Sequence, residues 1–210
     1  MTIRALIAGL SLLAVGAATG KIAANAPASD LEDLLAASRA AGYRTDIQGP
    51  AVGAESLRDR LAVVTFVSAG CSILCVTRAM DLDRLARDLP ETLRGRVAFL
   101  ALGTDPADGE ARLRAFADGL LGPASPLRVL ASDAEGVRAV AGRLRYPEAS
   151  LPEPPPTILL FDRRGRVAMT YGGDPLDAPR LRRDLVALDL FTQGLGHPPA
   201  PAPDRAHPSL

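Results

Sequence analysis

"LAVVTFVSAGCSILC", Leu61 to Cys75, runs from an apolar stretch through small residues to the only two cysteines of the chain. Leu61 to Val67 is apolar and β-branched without polar alternation, which is the pattern of a strand buried on both faces. Ser68 to Gly70 read as a turn. From about Cys71 to Leu89 the spacing of Leu82, Leu85 and Leu89 predicts a helix, which Pro90 ends. Cys71 and Cys75 therefore stand where a central strand hands over to a helix, and in layered α/β proteins functional groups gather beyond the carboxyl ends of the strands.

That position favours chemistry at sulfur. A thiol at a helix N-terminus feels the positive end of the helix dipole and unpaired backbone N–H groups, so its thiolate is favoured. Cys71 is expected to be the more reactive of the two. Cys75 follows one turn later on the same face, with a Cα separation of about 6 Å, within the range a disulfide bridges. Two soft thiolates so placed could also hold Cu(I). A purely structural disulfide and two buried small residues are the plainer readings.

The same strand-then-helix scheme recurs along the chain. "VAFLAL", Val97 to Leu102, is a second buried strand, and Asp105-Pro106 opens a turn before a helix with Leu113, Phe116 and Leu120 on one face. "LRVLASDAEGVRAVAGRL" adds a short extended piece, a Ser132-x-x-Glu135 capping box and a helix through Leu144. Thr157 to Phe161, a turn at Asp162 to Gly165 and Arg166 to Tyr171 form a β-hairpin. Asp177 to Phe191 closes with a helix that turns Leu181, Leu185 and Leu188 inward. The expected fold class is α/β, with a central, mostly parallel sheet, a C-terminal β-hairpin and flanking helices.

The ends of the chain set its compartment and its boundaries. Arg4 precedes an uncharged, mostly apolar run from Ala5 to Gly20, closed by Lys21, the sole lysine. At 1.5 Å per residue it spans about 24 Å, which suits a signal-peptide core or a short membrane anchor. Either outcome places the rest outside the cytoplasm, periplasmic or anchored facing the periplasm, where a disulfide persists. Residues 1–28 are read as this targeting segment and residues 29–48 as a linker with a short helix begun by the Ser29–Glu32 capping box. Residues 49–192 form the domain, and residues 193–210 a proline-rich tail. About 180 residues beyond the targeting segment make one domain with a sizeable core. With 24 basic and 24 acidic residues the formal charge is zero, and the scattered arginines form no basic stripe, so nothing invites nucleic acid. There is no phosphate-cradling glycine loop and no C-x-x-C-H, and no surface feature asks for more than a monomer.

Taken together, these segments resemble the Sco/SenC family of thioredoxin-fold, membrane-anchored copper proteins used in assembling the copper centre of cytochrome c oxidase. The similarity runs from about Gly49 to Phe191. "ESLRDRLAVVTFVSAGCSILC" resembles that family's strand and C-P-x-x-C-P-type motif, which implies that Cys71 and Cys75 are copper ligands. "VAFLALGTDPADGEARLRAFADGL" is similar to its V-D-P-x-x-D segment, with Asp105 and Pro106 on the Asp-Pro and Asp108 loosely on the second aspartate. "ILLFDRRGRV" resembles its terminal hairpin.

Departures from the pattern bear on the chemistry. Ser72 and Val76 replace the prolines that accompany the cysteines. The family's third copper ligand is a histidine about eight residues before the hairpin turn, and counting back from Asp162 reaches Pro154. The only histidines, His197 and His207, lie in the tail. Pro156-Thr157 instead resembles the cis-proline of thioredoxin-like and TlpA-type oxidoreductases, which implies a cis bond before Pro156 and a backbone facing the cysteine pair.

Two chemistries follow. In one, Cys71 and Cys75 bind Cu(I), with no third ligand identified, and pass it to an oxidase subunit. In the other, Cys71, Cys75 and Pro156 form the site of a thiol–disulfide oxidoreductase, in which Cys71 attacks a partner disulfide and Cys75 resolves the mixed disulfide. The partner is an oxidase subunit or another dithiol protein. A binding module that takes no copper is a third reading.

Overall fold

A computed structural model describes Leu34, residues 54–172 and residues 175–192. After a single helical turn, α1 (Ala54–Leu57), come β1 (Leu61–Val67), α2 (Ile73–Arg87), the short α3 (Glu91–Arg94) and β2 (Val97–Gly103). Then follow α4 (Gly109–Leu121), β3 (Leu127–Leu130), α5 (Ala134–Leu144) and a 3₁₀ turn at Glu148–Ser150. The hairpin β4 (Thr157–Phe161) and β5 (Val167–Gly172) and the last helix α6 (Ala178–Thr192) complete the chain order.

The five strands form one sheet in the order β3-β2-β1-β4-β5. β1, β2 and β3 run parallel, with Leu61 opposite Val97 and Val67 opposite Gly103, and Phe99 opposite Leu127. Parallel neighbours need a crossover, and α2 and α4 supply it. β4 pairs antiparallel with β1, Val64 facing Leu159, and β5 extends the hairpin to the sheet edge. All seven residues of β1 and of β2 are buried, as their unbroken apolar runs require.

Each face of the sheet carries its own core. On one face Leu61, Val63 and Val67 meet Ala79, Leu82, Leu85 and Leu89 around α2, Leu113 and Ala117 of α4, and Leu181 and Leu185 of α6. On the other Ala62, Val64 and Phe66 meet Leu100, Leu102, Phe161, Val140 of α5 and Leu34. The period-two alternation of β1 thus feeds two cores at once.

Three local expectations change. α2 starts at Ile73 rather than at Cys71, because Ser72 is its N-cap, with extended ψ of 164° and a side-chain oxygen accepting the Cys75 N–H at 3.5 Å. α5 is capped by Asp133, not by Ser132: Asp133 Oδ1 accepts the Gly136 N–H at 2.7 Å. The end of α2 also moves, to Arg87 rather than Leu89, with Asp88 as its C-cap. Of the linker helix, Leu34 is described; it is helical and 4% exposed. The targeting segment, most of residues 29–48 and the tail lie outside the described residues. Among those described, no helix is long and apolar enough to cross a membrane.

Candidate functional site

Cys71 and Cys75 meet as a disulfide at the carboxyl end of β1, with Cα atoms 5.9 Å apart. The turn that presents them is held at its root. Thr104, directly after β2, donates its N–H to the Val67 carbonyl at 2.9 Å, and the Cys71 N–H donates to the Ser68 carbonyl at 3.3 Å. The pair is asymmetric. Cys75 is 1% exposed and its sulfur lies 4.0 Å from the Phe66 carbonyl oxygen, whereas Cys71 is only partly buried. Between them Ile73 and Leu74, 74% and 54% exposed, make an apolar rim beside the outer sulfur.

Two carboxylates from different loops take backbone N–H groups on either side of Cys71. Asp108, buried before α4, accepts the Ala69 N–H on Oδ2 at 2.7 Å. Its Oδ1 pairs with Arg112 Nε at 3.4 Å without hydrogen-bond geometry. The same guanidinium covers Gly70, where an added Cβ would meet Arg112 Nη2 at 3.8 Å. Glu153 comes from the loop before β4. Its carboxylate accepts the Ser72 N–H at 3.2 and 3.3 Å and the Ser72 hydroxyl at 2.6 Å.

Behind the inner cysteine, Arg78 is 2% exposed on α2. Its Nε donates to Thr65 Oγ1 at 3.2 Å, and its Nη2 to the Phe66 carbonyl at 3.4 Å, the same oxygen that Cys75 approaches. Thr65 in turn donates to the Thr157 carbonyl at 3.3 Å, so α2, β1 and β4 are tied by one buried chain of hydrogen bonds.

Pro156 does not sit as the resemblance implies. The cis peptide bond among the described residues is Leu151–Pro152, and the bond before Pro156 is not cis. Pro156 is exposed at the centre of a tight turn in which the Thr157 N–H donates to the Pro155 carbonyl at 2.7 Å. The Pro152 carbonyl oxygen lies 3.0 Å from the Thr104 hydroxyl, which brings the loop bearing Glu153 against the end of β2. Asp105, read as a turn residue, accepts the Ala107 N–H at 2.9 Å.

As a metal site, the arrangement offers two sulfurs and little else. Pro154 is buried and its side chain has no donor atom to lend. Among the described residues there is no cluster of three or more His, Cys, Asp or Glu fit to hold an ion. His197 and His207 lie outside them. Sequence reasoning missed Glu153 as a site residue and Arg78 altogether. Arg78 had a signal, since it falls on the buried stripe with Leu82, Leu85 and Leu89, where a charged residue is out of place. Glu153 had none.

No protein-family model matches the chain, nor does any curated protein. Solved structures do. A SCO1/SenC family lipoprotein from Bacillus anthracis aligns over 69% of this chain and 90% of its own, at 19% identity and a TM-score of 0.56. ScoI of Bradyrhizobium japonicum, solved with copper bound, aligns over 69% and 94%, at 20% identity and a TM-score of 0.54. The chain has the thioredoxin-like fold of Sco proteins. Yeast Sco1 aligns over 74% of this chain and 93% of its own, at 16% identity and a TM-score of 0.56. About nine tenths or more of each of these Sco structures is therefore matched by this fold.

Proposed function

We propose that the chain is a thiol–disulfide oxidoreductase built on a Sco-like fold. One observation carries the reading: a partly exposed Cys71 just before the N-cap of α2 is bonded to a buried Cys75 in its first turn. In the reduced protein the Cys71 thiolate attacks one sulfur of a partner disulfide and expels the other as thiolate. The Cys75 thiolate then attacks Cys71 Sγ, forms the intramolecular disulfide and releases the partner's second sulfur. The partner gains two electrons, and an upstream dithiol protein restores the pair. Ile73 and Leu74 provide an apolar rim for that partner's backbone, and Pro156 belongs to the same proposal as a contact at the head of β4.

An exported, periplasm-facing location fits a stable disulfide and rests on the apolar run Ala5 to Gly20. Maintenance of the dithiols of cytochrome c oxidase assembly is the role that the Sco resemblance suggests. The test uses the full chain: Cys75→Ser should trap a mixed disulfide with a model disulfide substrate, and Cys71→Ser should not. A reduced wild-type chain that fails to reduce that substrate would sink the reading.

Copper delivery is the second reading, favoured by the two sulfurs and by similar structures solved with copper bound. Here Cu(I) is cargo held by the Cys71 and Cys75 thiolates. Anaerobic Cu(I) titration of the reduced full chain should give a one-to-one complex lost in either serine variant. Pro154→His should tighten that complex if the loop retains the ligand position. Absence of saturable binding in both forms excludes it.

A further inference from the structure

Glu153 holds a place that neither the exchange chemistry nor the Sco resemblance assigns. It stands next to Pro154, and the loop that carries it brings a carboxylate to Ser72, the N-cap of α2 and the residue that follows Cys71. We propose that Glu153 sets the redox poise of the dithiol: fixed on the Ser72 N–H and hydroxyl, its charge disfavours the Cys71 thiolate and thereby favours the disulfide.

The inference rests on the exchange reading and gives it a direction. A Cys thiolate at a helix N-terminus is stabilised by the dipole and by N–H groups, and a stabilised reduced form makes a pair oxidising. Glu153 works against both. It occupies the Ser72 N–H, and it places negative charge at the residue directly after Cys71. The other charged groups around this turn are engaged elsewhere. Asp108 and Arg112 pair with each other on the opposite side, Asp105 is tied to the Ala107 N–H, and the Arg78 guanidinium lies under Cys75. Among the described residues Glu153 has no cationic partner.

The chain is accordingly a reductant. Its dithiol passes two electrons to a partner disulfide, which opens to two thiols as the Cys71–Cys75 bond closes, and a dithiol donor of lower potential reduces it again. Glu153 is a positioning residue here, acting through Ser72 and its charge rather than on the reacting bond.

The test compares full-length wild type, Glu153→Gln and Glu153→Asp by three readouts. These are the pH titration of the Cys71 thiolate in the reduced chain, the rate of its alkylation by iodoacetamide at neutral pH, and the redox equilibrium with glutathione. Glu153→Gln should titrate at lower pH, react about three- to tenfold faster and shift about three- to tenfold toward the dithiol. A tenfold shift is about 30 mV for this two-electron couple. Glu153→Asp keeps the charge and should stay within about twofold of wild type. An exchanging wild type with an unchanged Glu153→Gln overturns this assignment alone, as does Glu153→Asp moving as far as Glu153→Gln. A wild-type pair that never equilibrates with glutathione overturns the exchange reading beneath it.

Discussion

Asp108 grips the Cys71 turn from the side opposite Glu153, and its environment makes the grip costly to lose. The residue is 5% exposed, and its Oδ2 is the acceptor for the Ala69 N–H. Asp108→Ala strands that part-buried donor and also frees Arg112, so a loss of about 2 kcal/mol is expected in urea denaturation. Asp108→Asn retains an acceptor and should lose about half as much. Equal losses in the two variants would show that charge, not the acceptor, holds the turn. At this scale the cysteines were legible because everything that marks them is local: an apolar strand, three small residues, a helix. Asp108 and Glu153 were not. Their partners lie 39 and 81 residues away, and no short-range pattern links an acid in one loop to an N–H in another.

Helix ends show how a correct element can carry a wrong cap. Ser132-x-x-Glu135 satisfies the capping-box pattern, yet Asp133 makes the bond to Gly136 N, and Ser132 Oγ is buried with no partner among the described residues. A carboxylate one residue on competes for the same orphan N–H groups, and its charge suits the helix dipole better. Asp133→Ala should therefore cost about 1 kcal/mol, while Ser132→Ala should be neutral or slightly stabilising, since it removes an unsatisfied hydroxyl. The reverse ranking in thermal melts would restore the capping box. Within α2, Arg78 is the member of the buried stripe that bonds rather than packs. Arg78→Met should cost about 2–4 kcal/mol, because Thr65 and the Phe66 carbonyl keep their burial and lose their donor. A change below about 0.5 kcal/mol would mean that this hydrogen-bond chain is incidental. β1, β2 and β4 were read to within a residue because continuous apolar runs leave few places to start or stop.

The molecule as a whole must stay folded in both redox states for the proposed cycle to turn. Which strands neighbour which was legible only in part: parallel β1 and β2 followed from the intervening helix, but the insertion of β1 between β2 and the hairpin is a matter of tertiary packing. That packing is what tolerates reduction. Cys71 and Cys75 are four residues apart in sequence, so opening their bond releases a very small loop, worth at most about 2 kcal/mol of chain entropy. A two-faced core of this kind is stable by about 5–15 kcal/mol, and the reduced chain should keep its far-UV circular dichroism. Far-UV circular dichroism suits the unfolding curves because the chain has no tryptophan. The gap in unfolding free energy between oxidised and reduced forms then equals the difference between the folded and unfolded dithiol equilibria. Glu153→Gln makes the folded pair easier to reduce and leaves the unfolded pair unchanged. The gap should therefore narrow, by about 1.4 kcal/mol for each tenfold shift in the glutathione equilibrium. Urea curves for the four species, wild type and variant in each redox state, close this cycle. A gap that widens, or that ignores the measured shift in equilibrium, would place the effect of Glu153 outside the folded dithiol.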